Sequence, residues 1–215
     1  LPPPPPDKAG WPWTEESEQL PDTMPDGEPW PKVSIVTPSY NQAQFIEETI
    51  RSVLLQGYPY LEYIIIDGNS DDGTTEIIRR YEDHLAYWVS EPDDGQSDAI
   101  NKGWKRATGE ILAWLNSDDR YEPDVLELVV DSVWHNSGAD IVYGNCKSVD
   151  NKDNLIRLIK SAPVNLQYLI SHWERQDGIP PQPAVFFRRR VLDQVGLLKT
   201  HLTYAMDYDL WLRMT

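Results

Sequence analysis

Only one cysteine, Cys146, occurs in the 215-residue chain, so no intrachain disulfide braces the fold, which fits a reducing compartment. Cations are scarce as well: 19 Lys and Arg stand against 35 Asp and Glu, a formal net charge of −16. That imbalance argues against non-specific binding to nucleic acid or anionic lipid, both of which need clustered cations to displace counterions. An anionic substrate would need a metal cation to enter such a site. No apolar run approaches the ~20 residues that a bilayer-crossing helix needs. No P-loop, GxGxxG fingerprint or HExxH motif is present, which leaves ATPases, dehydrogenases and zincins without support. His84, His135, His172 and His201 show no metal-ligand spacing, and no internal repeat is found.

Proline and tryptophan, by contrast, crowd the first 32 residues, with a Pro2–Pro6 run and Trp11, Trp13 and Trp30. Proline fixes φ and offers no ladder donor, so this stretch is expected to be an extended lead segment and not a domain. Its tryptophans could dock on the rest of the chain; a partner-binding Pro-rich motif is the lesser alternative. The remainder, 33–215, is long and apolar enough for one sizeable domain, the whole chain being 40% hydrophobic. The chain starts at Leu1 and stops at Thr215 inside what reads as an amphipathic helix, so a fragment, truncated at its C-terminus, is expected.

From Val33 onward, apolar runs alternate with stretches of helical period, the pattern of βα units and an α/β fold with a mostly parallel sheet flanked by helices. Strands are expected at Val33–Thr37, Leu61–Ile66, Leu85–Ser90, Ile111–Leu115, Ile141–Tyr143 and Pro183–Phe187. Helices are expected after an Asn41 cap, over Thr74–Asp83 and Ser97–Ala107, and from Pro123 in a first turn to Trp134. The stretch from Asn145 to Pro181 has no decisive period.

In an open α/β sheet, ligands collect beyond the carboxyl ends of the strands, so the residues after Thr37, Ile66 and Leu115 should share one crevice. Those are Pro38-Ser-Tyr-Asn41, Asp67-Gly-Asn-Ser-Asp-Asp-Gly-Thr74 and Asn116-Ser-Asp-Asp119. Each alone is ordinary turn chemistry. Paired aspartates at a strand end, flanked by two further polar clusters, point to hard oxygen ligands for Mg²⁺ or Mn²⁺ and a nucleotide diphosphate.

Six stretches in order, Val33–Asn41, Ile66–Thr74, Gly95–Gly103, Ala107–Glu110, Leu115–Asp119 and Met206–Arg213, resemble glycosyltransferase family 2 over about residues 33 to 215. Within it the chain looks closest to bacterial enzymes of O-antigen or exopolysaccharide synthesis. The resemblance implies a GT-A fold, with a Rossmann-like nucleotide-sugar half (33–120) and an acceptor half (121–215), and inversion at the anomeric carbon. By position it implies that Pro38 and Tyr40 pack on the nucleobase, that Asp67 meets the base ring N–H, and that Asp72 lies near base and ribose. Asn116-Ser117-Asp118 falls on the Asp-any-Asp metal motif with its first carboxylate replaced, which leaves Asp118 as metal ligand. Gly68 stands where a second aspartate is common. Asp207 matches the catalytic base, while Asp209 is expected to pair with Arg213. Asp98, Lys102, Asp119 and Gln182 are further candidates for donor or acceptor contacts, as, more loosely, are His201 and Trp173. The implied donor is a nucleotide diphosphate sugar, UDP-linked by default, and the acceptor a glycan or lipid-linked glycan. The implied location is the cytoplasm, peripheral to the inner face of the membrane. A sugar nucleotidyltransferase and a catalytically silent nucleotide-sugar binding module are the alternatives.

Overall fold

A computed structural model describes residues 1–215 except 136–138, 151, 162–164 and 172–178, and only the backbone of Trp134 and His135. Its centre is a six-stranded sheet of β1 (Val33–Ser39), β2 (Leu61–Asp67), β3 (Tyr87–Ser90), β4 (Ile111–Trp114), β5 (Ile141–Tyr143) and β8 (Val185–Arg188). The order is β3-β2-β1-β4-β8-β5, with β3, β2, β1 and β4 parallel and β8 antiparallel to both of its neighbours. Strand β1 is buried along its whole length because both faces of the sheet are covered.

Alternation along the strands assigns the two faces. Val33, Ile35, Tyr63, Ile65, Ile111 and Ala113 pack against α1 (Ile46–Leu54), α2 (Thr74–Arg80) and α4 (Val125–His135). Val36, Ile64, Ile66, Leu112 and Trp114 face α3 (Gln96–Arg106), α6 (Arg189–Val195) and α7 (Met206–Met214), with α5 (Leu166–Ile170) at the same side. Helix α3 sits close enough that a Cβ on Gly103 would lie 2.4 Å from Val36 Cγ1, so glycine is needed there. Trp211 of α7 stacks on Trp114 of β4 at 5.5 Å, which fixes α7 beneath the strand that leads into the acidic turn.

Several expectations change. Asn41 does not cap α1: it sits at φ 52 with its N–H on Ser70 Oγ, and the helix begins only at Ile46. Pro123 precedes α4 rather than opening it, because Asp124 turns at φ 62 before the helix starts at Val125. The undecided stretch contains a separate antiparallel pair, β6 (Cys146–Val149) with β7 (Leu155–Ile159), whose Leu155, Ile156 and Leu158 are exposed.

The Pro- and Trp-rich segment forms no strand or helix, yet it is bound into the core. Trp13, Met24 and Trp30 are buried. Arg51 of α1, itself buried, donates to the carbonyls of Pro2, Pro12 and Trp13 and to Tyr81 Oη, so four of the five N–H donors of a cation that would be costly alone are satisfied. A Cβ on Gly57 would lie 2.1 Å from Glu18 O, which shows how closely the segment is seated.

Candidate active site

Register brings the strand tips together. Ser39 pairs with Asp67 across β1 and β2, and Val36 with Trp114 across β1 and β4. Beyond these tips lies a cavity of about 770 Å³, within the ~300–1,000 Å³ of small-ligand sites. Pro38, Tyr40, Asn116, Ser117 and Asp118 line it, as the sequence placed them. Asp67, Asp72, Asp98, Lys102, Asp119, Gln182 and Asp207 are not in its wall.

Asp67 and Asp72 are held inward by hydrogen bonds. Asp67 is fully buried and accepts from Ser70 N–H (2.9 Å), Ser70 Oγ (2.5 Å) and Ser90 Oγ (2.6 Å), so its carboxylate ties β2 to β3 inside the protein. Asp72 accepts from Thr74 N–H and Thr74 Oγ1 and from Ala43 N–H. Those bonds hold its carboxyl below the usual range although burial works the other way. Asn41 and Gln42 add N–H donations to Ser70 Oγ and Thr74 Oγ1. The loop after β2 is thus a scaffold that laces down the loop after β1. What it supports is Tyr40, which stands 63% exposed at the cavity with no internal packing to explain it.

The turn after β4 is held from α1, where Thr49 Oγ1 donates to the carbonyls of Ser117 and Asp119. Asn116 is the hub of an amide network: its Oδ1 accepts from Gln96 Nε2 (2.6 Å) and its Nδ2 donates to Gln182 Oε1 (2.9 Å) and Asp119 Oδ2 (3.3 Å). Gln182 in turn donates to Trp114 O, so it positions the turn instead of facing ligand. Asp118 alone of the turn's carboxylates is exposed to the cavity, and it also lines a second cavity of about 660 Å³ beside α4 and β6, where Asp119 joins it. Burial, and then the charge of Asp118, push the Asp119 carboxyl up to about 6. A cation beside Asp118 would relieve that repulsion, so the donor chemistry fits a divalent ion held by one protein carboxylate plus diphosphate and water. Among the described residues no group of three or more His, Cys, Asp or Glu forms an all-protein metal cage.

Asp207 opens α7. Its neighbour Met206 accepts a hydrogen bond from Ser97 Oγ, one residue past Gln96 of the cavity wall, and burial raises the Asp207 carboxyl above its ordinary range. Asp209 pairs with Arg213 and Lys199, as the i+4 spacing indicated for the arginine. Lys102 is engaged by Glu91 and Asp98, which pins the 91–98 loop. Trp173 and His172 lie outside the described residues.

Ser39 and Gly68, within the strand-tip stretches, and Gln96, within the Gly95–Gly103 stretch, also line the cavity without having been given a role, and Asp93, which the sequence did not single out, joins them. Ser39 Oγ is buried and finds no hydrogen-bond partner among the described residues. Its signal was its place at the end of β1, facing Asp67. Asp93 could be found only once the strand order was known.

Comparison with known proteins agrees with this geometry. The model of glycosyl transferase family 2 matches residues 34–196. The putative teichuronic acid biosynthesis glycosyltransferase TuaG of Bacillus subtilis is 38% identical over 143 residues, 64% of this chain and 56% of that protein. An uncharacterised glycosyltransferase of Rickettsia conorii is 34% identical over 188 residues, 85% of this chain and 31% of the relative. The chain therefore spans 31% of one of these relatives and 56% of the other. Among solved structures, S. aureus TarS 1-349 superimposes with a TM-score of 0.69 at 22% identity, covering 85% of this chain and 55% of that one. The mannosyltransferase PcManGT of Pyrobaculum calidifontis, in complex with GDP-Man and Mn²⁺, gives 0.65 at 23%, covering 94% and 55%. Both likenesses show the GT-A fold. By the family model that matches residues 34–196, the chain belongs to glycosyltransferase family 2.

Proposed function

We propose that the chain is the catalytic part of a metal-dependent inverting glycosyltransferase, of the hexosyltransferase type, that moves a sugar from a nucleoside diphosphate sugar to a hydroxyl of a glycan or lipid-linked glycan. The observation that carries this is the cavity at the tips of β1, β2 and β4, where exposed Tyr40 and exposed Asp118 stand at one opening. A flat aromatic suits a nucleobase, and a lone carboxylate suits a cation already carrying diphosphate. In support, TarS has been solved with UDP-GlcNAc and with UDP, and PcManGT with GDP-Man and Mn²⁺.

Residues 33–120 would then be the nucleotide-sugar half and 121–215 the acceptor half. Mg²⁺ or Mn²⁺, held by Asp118, would supply charge neutralisation at the diphosphate. The protein's own groups do the rest. Pro38 and Tyr40 hold the base, Ser117 walls the ribose side, and the Gln96–Asn116–Gln182 network keeps the turn in place. Asp207, made more basic by partial burial, takes the proton from the acceptor hydroxyl as that oxygen attacks the anomeric carbon. The reading places the work in polysaccharide assembly in the cytoplasm, against the inner face of the membrane where the acceptor is lipid-linked. No helix among the described residues is long and apolar enough to cross a membrane.

The test is a release assay for nucleoside diphosphate from UDP- and GDP-sugars, in Mn²⁺ and in EDTA, with wild type and Asp207→Asn. Metal-dependent release by wild type and its loss in the variant are expected; undiminished release by the variant would place the base elsewhere.

A further inference from the structure

The geometry points to Asp93 as the residue that reads the nucleobase, its carboxylate standing in the space that a side chain at position 68 would otherwise take. The inference rests on the cavity being a nucleoside diphosphate site. A Cβ built on Gly68 would lie 2.9 Å from Asp93 Oδ2 and 3.3 Å from its Cγ, so glycine at 68 is what allows the Asp93 carboxylate into that place. Gly68 is itself fixed at the strand tip, its N–H donating to Ser39 O at 2.8 Å. Asp93 is held from the other side: Oδ1 accepts from Gly95 N–H at 2.8 Å, and Gly95 turns at φ +100. Oδ2, the atom that faces Gly68, has no hydrogen-bond partner among the described residues.

Asp67 cannot do this work, because it is fully buried and accepts three internal hydrogen bonds. Ser39 adds a second feature. It lines the same cavity, and its buried Oγ lacks a partner, so an oxygen beside a ring N–H would satisfy it. An acceptor carboxylate next to a free hydroxyl donor matches the edge of uracil, thymine or guanine, where a ring N–H adjoins a carbonyl. Cytosine and adenine offer an unprotonated ring nitrogen there and would leave the carboxylate facing a lone pair.

The experiment is isothermal calorimetry of UDP, GDP and CDP into the full chain in saturating Mn²⁺, with wild type, Asp93→Asn, Gly68→Ala and the double variant. Wild type should bind UDP or GDP about tenfold or more tighter than CDP, since losing a hydrogen bond to a charged acceptor costs about that much. Asp93→Asn keeps Oδ1 for Gly95, so its melting temperature should hold while the preference over CDP collapses. Gly68→Ala should weaken UDP or GDP in wild type and cause no further loss on top of Asp93→Asn. An unchanged preference in Asp93→Asn, or fully additive losses in the double variant, would overturn the assignment. If wild type binds none of the three nucleotides, the reading of the cavity fails first, and that outcome is distinct.

Discussion

Two short acidic loops, one after β2 and one after β3, flank the same cavity and use their carboxylates in opposite ways. In the first, Asp67 and Asp72 are turned inward onto N–H and O–H groups of Ser70, Ser90, Thr74 and Ala43. In the second, Asp93 gives one oxygen to the turn and presents the other at the cavity. An aspartate after a strand is therefore scaffold where its neighbours supply donors, as at Asp67 and Asp72, and lines the cavity where they do not, as at Asp93. The loop after β2 reads Asn-Ser-Asp-Asp-Gly-Thr-Thr and supplies such donors, the one after β3 reads Pro-Asp-Asp-Gly-Gln, and Ser90 at the end of β3 gives Asp67 a further one.

That contrast is easiest to break with carboxylate substitutions, which should divide into those that change chemistry and those that change stability. Asp207→Asn carries the largest expected effect: turnover falls about 10²–10⁴-fold, the usual contribution of a general base, while metal-dependent UDP binding is kept. A base must work deprotonated and burial raises the Asp207 pKa, so, if Asp207 is that base, the acid limb of kcat should lie above the ordinary aspartate range in a pH–rate profile. Asp67→Ala comes next and should act on the fold. It orphans donors of Ser70 and Ser90, costs about 3 kcal/mol and lowers Tm by roughly 6–12 °C in scanning calorimetry. Asp118→Ala should do the reverse, shifting stability by no more than about 0.5 kcal/mol, as exposed positions do, while abolishing the metal dependence of nucleotide binding.

The smallest effect belongs to Glu62, at the far end of β2. Burial works to raise its pKa, but hydrogen bonds from Ser34 Oγ, Thr108 N–H and Thr108 Oγ1, with Lys32 nearby, lower it overall. A depressed folded pKa means that stabilisation is present above the unfolded pKa and is lost as pH falls through the folded one. Glu62→Gln should thus lower Tm by roughly 2–4 °C at neutral pH, for a cost of about 1 kcal/mol, with the gap closing in acid. A gap that persisted at low pH would separate the loss from the carboxylate's charge.

How much of this was legible in the sequence follows from which forces leave a local trace. Strands β1, β2 and β4 are buried along most of their length, so they read as largely apolar runs, and the stretches at their tips contain Pro38, Tyr40, Ser117 and Asp118, which line the cavity. The β6–β7 pair left no trace because its Leu155, Ile156 and Leu158 are exposed and follow neither period. The seating of residues 1–32 was equally hidden. Arg51 looks like any helix-surface arginine until the carbonyls of Pro2, Pro12 and Trp13 are seen around it. Asp67 and Asp93 could not be told apart from spacing, since their difference lies in Ser90 and Gly68 on neighbouring strands.

The direct test is calorimetric titration of UDP and GDP into the full chain, once in Mn²⁺ and once in EDTA, with wild type beside Asp118→Ala. Binding that is strong in Mn²⁺, falls at least tenfold in EDTA, and is weak in the variant under both conditions is the predicted result. Equal affinity in Mn²⁺ and EDTA, or full metal-dependent binding without the Asp118 carboxylate, would contradict it.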